Sequence, residues 1–379
     1  MKLVSLSGLL LLGAVLLTWS FDSHAAAKNE ASEMVPLAEF TRNMTQHSGY
    51  FDFYYDKTND KVYLRVDKTE QPFIFQSSLP RGIGSNDIGL DRGQLGDTRL
   101  VQFERFGNKL LLKQLNTYYR AQSDNQAENL SVQEAFASSV IAGLPVVATD
   151  KTAVLVDYTD FLLSDIHQIS ASLAAQKQGS FKADSKRSGI YLPRSKAFER
   201  NTELEALVTY IGEKAGAFVR QVTPSADAIT VHLHHSLIAL PKAGYQSREF
   251  HPYSGFWQVE YMDYASAFDT PMVKRLLPRH RLQKKHPEAE LSVAVEPIVY
   301  YLDPGVPEPV RSALIDGAMW WNTAFEQIGY KNAFQVKVLP EGADPMDVRY
   351  NVIQWVHRAT RGWSYGAGVT DPRTGEIIK

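Results

Sequence analysis

The sequence predicts an α+β protein. β-rich N-terminal domains are followed by an α/β segment in the order strand–helix–strand–strand–strand. Two patterns carry this expectation. From about residue 50 to about residue 270, short aromatic and β-branched runs alternate with clusters of Gly, Asn, Asp and Pro, as in antiparallel strands and their turns. After residue 290 the rhythm lengthens to an apolar strand, a helix with one apolar face, and further strands.

The elements follow in chain order. Met1-Lys2 precedes an apolar run from Leu3 to Leu17, and Ser23-His24-Ala25-Ala26-Ala27 follows it. These are the n-region, h-region and small-x-Ala site of a secretory signal peptide, so residues 1–27 are expected to be removed and the protein exported to a periplasm or the medium. No later run reaches the ~18 apolar residues a membrane span needs, so the mature chain is expected to be soluble, with no membrane partner. Residues 28–88 read as a small hairpin-rich domain. In it, Tyr50–Tyr55 and Lys61–Val66 flank the turn residues Lys57-Thr58-Asn59-Asp60, and Gln71–Ser77 continues the strand pattern. Arg81–Gly96 is rich in Gly and Asp and reads as a loop.

Residues 89–275 read as a second β-rich domain. Arg99–Phe106 turns at Gly107-Asn108 into Lys109–Leu115. Ser131-Val132-Gln133-Glu134 matches a capping box and predicts a short helix with Phe136 and Val140 on one face, ended by Gly143. Thr152–Tyr158 and Ala228–Leu240 are further strand candidates. Residues 276–292 hold much of a basic run (Lys274, Arg275, Arg279, Arg281, Lys284, Lys285) and read as a linker. Residues 293–379 supply the α/β pattern. Pro297–Leu302 is a strand, and Pro307-Glu308-Pro309 opens a helix. Val310, Leu314, Trp321, Phe325 and Ile328 share one face of that helix, which predicts that it packs into a core, and Gly329 caps it. Phe334–Val338, Arg349–Arg358 and Trp363–Thr370 are the later strands. Asp371–Gly375 reads as a tight turn and Glu376–Lys379 as the start of another strand.

Composition narrows the function. A net charge of −2 gives no electrostatic case for a nucleic-acid partner. With no cysteine in 379 residues there is no disulfide, thiol catalysis or thiolate metal ligation. His232 and His234 share a face of their strand beside His235. A His-x-His pair can ligate zinc if a carboxylate joins it, but no third ligand is evident nearby, and a polar strand face accounts for the pair as well. Gly362-Trp363-Ser364-Tyr365-Gly366 matches G-x-S-x-G. No helix can open after it and no His follows His357, so a serine hydrolase is disfavoured. There is no Walker A motif, dinucleotide fingerprint or H-E-x-x-H, and no complete catalytic set.

The segment "EPVRSALIDGAMWWNTAFEQIGYKNAFQVKVLPEGADPMDVRYNVIQWVHRATRGWSYGAGVTDPRTGEIIK" resembles the front of the catalytic domain in bacterial secreted zinc-dependent metalloproteases, a metzincin-like family. Upstream, "LDRGQLGDTRLVQFER", "HHSLIALPKAGYQSREFHPYSGFW" and "IVYYLDPGVPEPVR" resemble that family's domain of unknown function 5117, and the small domain before it resembles domain of unknown function 5118. The resemblance implies a peptide or protein substrate and a zinc cofactor in the full-length family. The H-E-x-x-H helix of that family is missing from this chain, so no zinc ligand or catalytic residue is assigned to it, and the chain reads as an N-terminal fragment. By position, Ser364, Tyr365, Gly366, Ala367, Gly368 and Val369 are the candidate strand along which an extended substrate pairs, the glycines admitting its close approach. An inner strand with Gly at bulges fits these residues equally. The competing reading is a non-catalytic periplasmic or extracellular binding protein.

Overall fold

The computed structural model describes residues 34–359 and 362–379, and the expected signal peptide lies outside them. A 13-stranded antiparallel sheet dominates. Its strands lie side by side in the order Thr45–His47, Phe53–Asp56, Lys61–Val66, Val154–Asp157, Ser139–Thr149, Lys109–Gln114, Gln94–Phe106, Phe73–Arg81, Ala228–Ile238, Asn201–Glu213 and Ser180–Ala183. The short strands Gly189–Ile190 and Lys196–Ala197 also pair with Asn201–Glu213. Near the two ends of this path, Tyr50 N–H donates to the Phe198 carbonyl (2.7 Å) and Phe51 N–H to Thr202 Oγ1 (2.9 Å). The sheet is therefore nearly closed and barrel-like. The expected boundary at residue 88 falls inside this sheet, because Phe73–Arg81 and Gln94–Phe106 are neighbours in it.

The hairpins read from the sequence are present, because their turns fix the register locally. Phe53–Asp56 pairs with Lys61–Val66, and Gln94–Phe106 with Lys109–Gln114. Gly107 adopts φ +58° in the second turn, a conformation that costs glycine nothing. Alternation then places Phe73 and Phe75 on the inner face. Phe51, Phe73 and Phe103 meet there with ring centroids 5.2–5.7 Å apart, all fully buried.

The predicted helix at Ser131 is corrected. The helix is Gln126–Ala135, capped by Asn125, whose Oδ1 accepts the Ala127 N–H at 3.1 Å. Val140 and Gly143 belong instead to the strand Ser139–Thr149. Its β-branched residues suit a strand, and pairing with Lys109–Gln114 satisfies their main chain. The basic run is partly ordered in sheet and ion-pair contacts. Val273–Leu276 is a strand, Arg279 and Arg281 stack on Tyr245, and Arg281 pairs with Glu376 at 2.8 Å.

In the C-terminal part, Ile298–Leu302 is the middle strand of a parallel three-stranded sheet, between Phe334–Val338 and Asn351–Ile353. The helix Val310–Gln327 packs on it through Phe325, stacked on Phe334 at 5.9 Å. The expectation that this helix is core is overturned: none of its residues is buried, and Trp320 and Trp321 are 78% and 60% exposed. Arg349–Arg358 shrinks to Asn351–Ile353, and Trp363–Thr370 forms no strand, only an isolated bridge from Thr370 to Ile377. Among the described residues no helix is long and apolar enough to cross a membrane.

Phe73 contacts both other rings of the inner cluster, so Phe73→Ala is expected to cost about 3–5 kcal/mol, read as a lower urea midpoint at unchanged m-value.

Candidate functional site

Two regions of the molecule concentrate functional groups. The first grows from the pairing of Asn201–Glu213 with Ala228–Ile238. Direct partners are Glu203 with Ser236, Leu204 with His235, and Glu205 with His234. Alternation sends Leu204, Ala206, His235 and Leu237 to the inner face, and Glu203, Glu205, His232 and His234 to the outer one. The outer face is buried too: Glu205 is 0% exposed.

His234 lies between the two carboxylates, its Nε2 2.5 Å from Glu203 Oε2 and its Nδ1 3.1 Å from Glu205 Oε2. An imidazole that donates at both nitrogens is the cation. Burial alone lowers its pKa, but the hydrogen bonds and charges of Glu203 and Glu205 outweigh burial and hold it at about 9. Burial likewise raises Glu205, yet His232 (2.7 Å), His234 and Arg194 (3.2 Å) bring it down to about 2. Glu203 also accepts from Ser236 Oγ and Asn201 Nδ2, both at 2.6 Å. The next residue, His235, points the other way, among Phe75, Phe161 and Tyr158. Burial pushes it down to about 3, so it is neutral. Also on the inner side, Ser77 Oγ meets His167 Nδ1 at 3.1 Å, and burial holds His167 near 4. A Cβ on Gly96 would lie 2.4 Å from Ser77 Oγ, so glycine makes room for this pair. Ser77 is 2% exposed, and its hydroxyl satisfies the imidazole rather than facing solvent.

The second region is a cleft of ≈ 440 Å³ lined by Arg81, Gly82, Arg92, Arg194, Gln354 and His357, among others. The 82–93 loop forms one wall. It folds back tightly, since a Cβ on Gly82 would lie 2.3 Å from the Leu90 carbonyl. The 354–359 segment forms the other: Ala359 N–H donates to the Gly84 carbonyl (2.9 Å) and Arg92 Nη1 to that of Trp355 (2.7 Å). Asp91 then joins the walls to the next segment, pairing with Arg358 and accepting the Tyr365 hydroxyl at 3.2 Å. Burial, then Asp91, raises the Tyr365 pKa.

The six sequence-predicted residues follow this junction in the chain, and none of them is among the residues lining the cleft. Ser364–Gly368 is exposed and carries no ladder. Ser364 Oγ and the main chain of Gly366 and Ala367 make no hydrogen bond among the described residues, and a Cβ on Gly366 would meet nothing within 4 Å. Gly368 backs onto the Lys379 carbonyl. Val369 is different. Its N–H donates to the Lys379 carbonyl (2.8 Å), and its side chain is buried with Ile74, Leu100, Ile238 and Val348.

No group of three or more potential metal ligands stands ready among the described residues. The His232/His234 pair does not fit zinc, because both ring nitrogens of His234 already face carboxylates. Glu203 and Glu205 were missed in the sequence. Their two-residue spacing inside an apolar strand, matching that of the two histidines, was the available signal. Arg81, Arg92 and Arg194 gave none, being far apart in the chain.

Removing one partner of a buried ion pair strands the other, so Glu205→Gln is expected to cost about 3–5 kcal/mol in urea unfolding. Stability is expected to peak near pH 6.5, read as the thermal midpoint across pH. His235 and His167, at about 3 and 4 in the fold against 6.5 unfolded, make the unfolded chain bind more protons, so stability falls as pH drops below 6.5. Glu205, at about 2 against 4.5, adds to that acid loss. His234 acts oppositely: its contribution is full below 6.5 and is lost as pH rises through about 9.

A search of curated proteins and a search of solved structures gave no match. A family model, described as domain of unknown function (DUF5117), matches residues 93–285. The match contains both strands of the carboxylate–histidine pair and stops short of Ser364–Val369. It spans half of the sequence, and the chain belongs to the DUF5117 family.

Proposed function

We propose that the chain is the peptide-binding front part of an exported zinc-dependent peptidase, in which Ser364–Val369 pairs along an extended peptide substrate. One observation carries this reading: exposed main chain at Gly366 and Ala367 without a hydrogen-bond partner among the described residues. A peptide strand laid beside it would satisfy those groups, and glycine permits close approach. The resemblance of residues 309–379 to a metzincin-like domain supports the same reading, as does the signal-like N-terminus for export. The reading requires zinc ligands beyond the described residues, so no hydrolytic step is assigned to this chain.

Successive N–H groups of an extended chain point to opposite sides, so Gly366→Pro and Ala367→Pro test the two edges separately. With a fluorescein-labelled casein peptide pool followed by anisotropy, one of the two is expected to weaken binding about tenfold. Wild-type affinity in both variants would sink the strand-pairing idea. Reading the gene beyond the Lys379 codon separates enzyme from non-catalytic binding protein: a helix with H-E-x-x-H within roughly a hundred residues supports the enzyme, and a stop codon supports the alternative.

A further inference from the structure

We propose that the cleft beside Ser364–Val369 is a carboxylate subsite that selects peptides carrying an acidic side chain. The substrate class rests on the peptide-binding reading above, whereas the anion site rests on the cleft itself. Arg81, Arg92, Arg194 and His357 line one opening of ≈ 440 Å³. Planar guanidinium forks match a carboxylate in a bidentate manner, and that is the usual role of convergent arginines.

The local charges do not cancel. Arg92 faces Asp303 at 3.6 Å. Arg194 faces Glu205, but Glu205 is already shared with His232 and His234. Arg81 has no carboxylate partner among the described residues. Its guanidinium donates to the Tyr191 hydroxyl at 3.0 Å and lies over that ring at 5.1 Å. Stacking orients the fork and leaves its charge uncompensated. A ligand carboxylate would supply the missing charge.

Two contacts also link the walls of the cleft to the candidate stretch. The 82–93 loop that walls the cleft holds Tyr365 through Asp91, and Arg358, next to His357, donates to the Trp363 carbonyl at 2.9 Å. In the proposal, a side chain of a peptide bound near Tyr365 reaches across this link to the arginines.

The test uses fluorescein-labelled decapeptides that differ only by Glu or Gln, with the variable position scanned along the peptide. At one position, Glu is expected to bind about tenfold tighter than Gln at low salt. Arg81→Gln should abolish that preference, and Arg81→Lys should retain part of it. Arg81 is exposed, so neither variant threatens the fold. In a second arm free of peptide, succinate should raise the thermal midpoint of the wild type and not of Arg81→Gln. Equal binding of Glu and Gln peptides, or a Glu preference that survives Arg81→Gln, overturns the subsite while leaving strand pairing to its own proline variants. If neither peptide binds but succinate stabilises in an Arg81-dependent way, strand pairing fails and the anion site stands. Stronger stabilisation by inorganic phosphate than by succinate overturns the carboxylate class.

Discussion

The rest of the structure depends on the pairing of Asn201–Glu213 with Ala228–Ile238. This pair is buried on both faces, and the two faces make opposite demands. The inner face meets aromatic core and requires uncharged groups. The outer face holds two glutamates, whose burial is tolerable only with positive partners. The adjacent residues His234 and His235 meet both demands at once, one as a cation near 9 and the other neutral near 3. A slip of one residue would place the neutral histidine between the carboxylates and the ion among Phe75, Phe161 and Tyr158. The network therefore specifies register, whatever its net contribution to stability.

The outer face also locates the C-terminal segment. Asn201 donates to the Met346 carbonyl at 2.9 Å and accepts the Val348 N–H at 3.2 Å, while Lys196 pairs with Asp344 at 2.5 Å. Beside them, Val348 and Val369 cover Ile74, Leu100 and Ile238. These contacts bracket the segment between, so the cleft and the 362–368 stretch are held at fixed points on each side. The strand that carries the two glutamates thus also holds, through Asn201, a segment more than a hundred residues later in the chain.

Local signals were legible in the sequence and distant ones were not. The hairpins around Asp60 and Gly107 were readable because turn chemistry and alternation lie in adjacent residues. The helix near residue 130 was misplaced because Ser131-x-x-Glu134 imitates a cap, while the true cap, Asn125, lies six residues earlier. Val140 was drawn into that helix by its spacing, although pairing with Lys109–Gln114 decides its state. The apolar face of Val310–Gln327 was read correctly as a pattern, but a pattern names a face without supplying its cover, and Trp320 and Trp321 are exposed. For the site, Ser364–Val369 was nominated through resemblance. The arginine cleft was invisible, because Arg81, Arg92 and Arg194 converge only in the folded chain, from a strand end, a loop and a short 3-10 turn.

Pre-organisation explains why unpaired main chain at 366–367 is tolerable. Exposed backbone is solvated by water, so its hydrogen bonds cost little until something displaces that water. What binding would otherwise lose is the entropy of ordering a free loop, about 1–2 kcal/mol per residue. Here much of that ordering is already in place. Tyr365 is tied to Asp91, Asp91 to Arg358, and Arg358 back to the Trp363 carbonyl. At the far end Val369 is locked in the core. Between these anchors, a Cβ on Gly366 would meet nothing within 4 Å, whereas Gly368 backs onto the Lys379 carbonyl. In the proposed peptide-binding reading, a stretch held at both ends would meet a peptide at a small entropic cost.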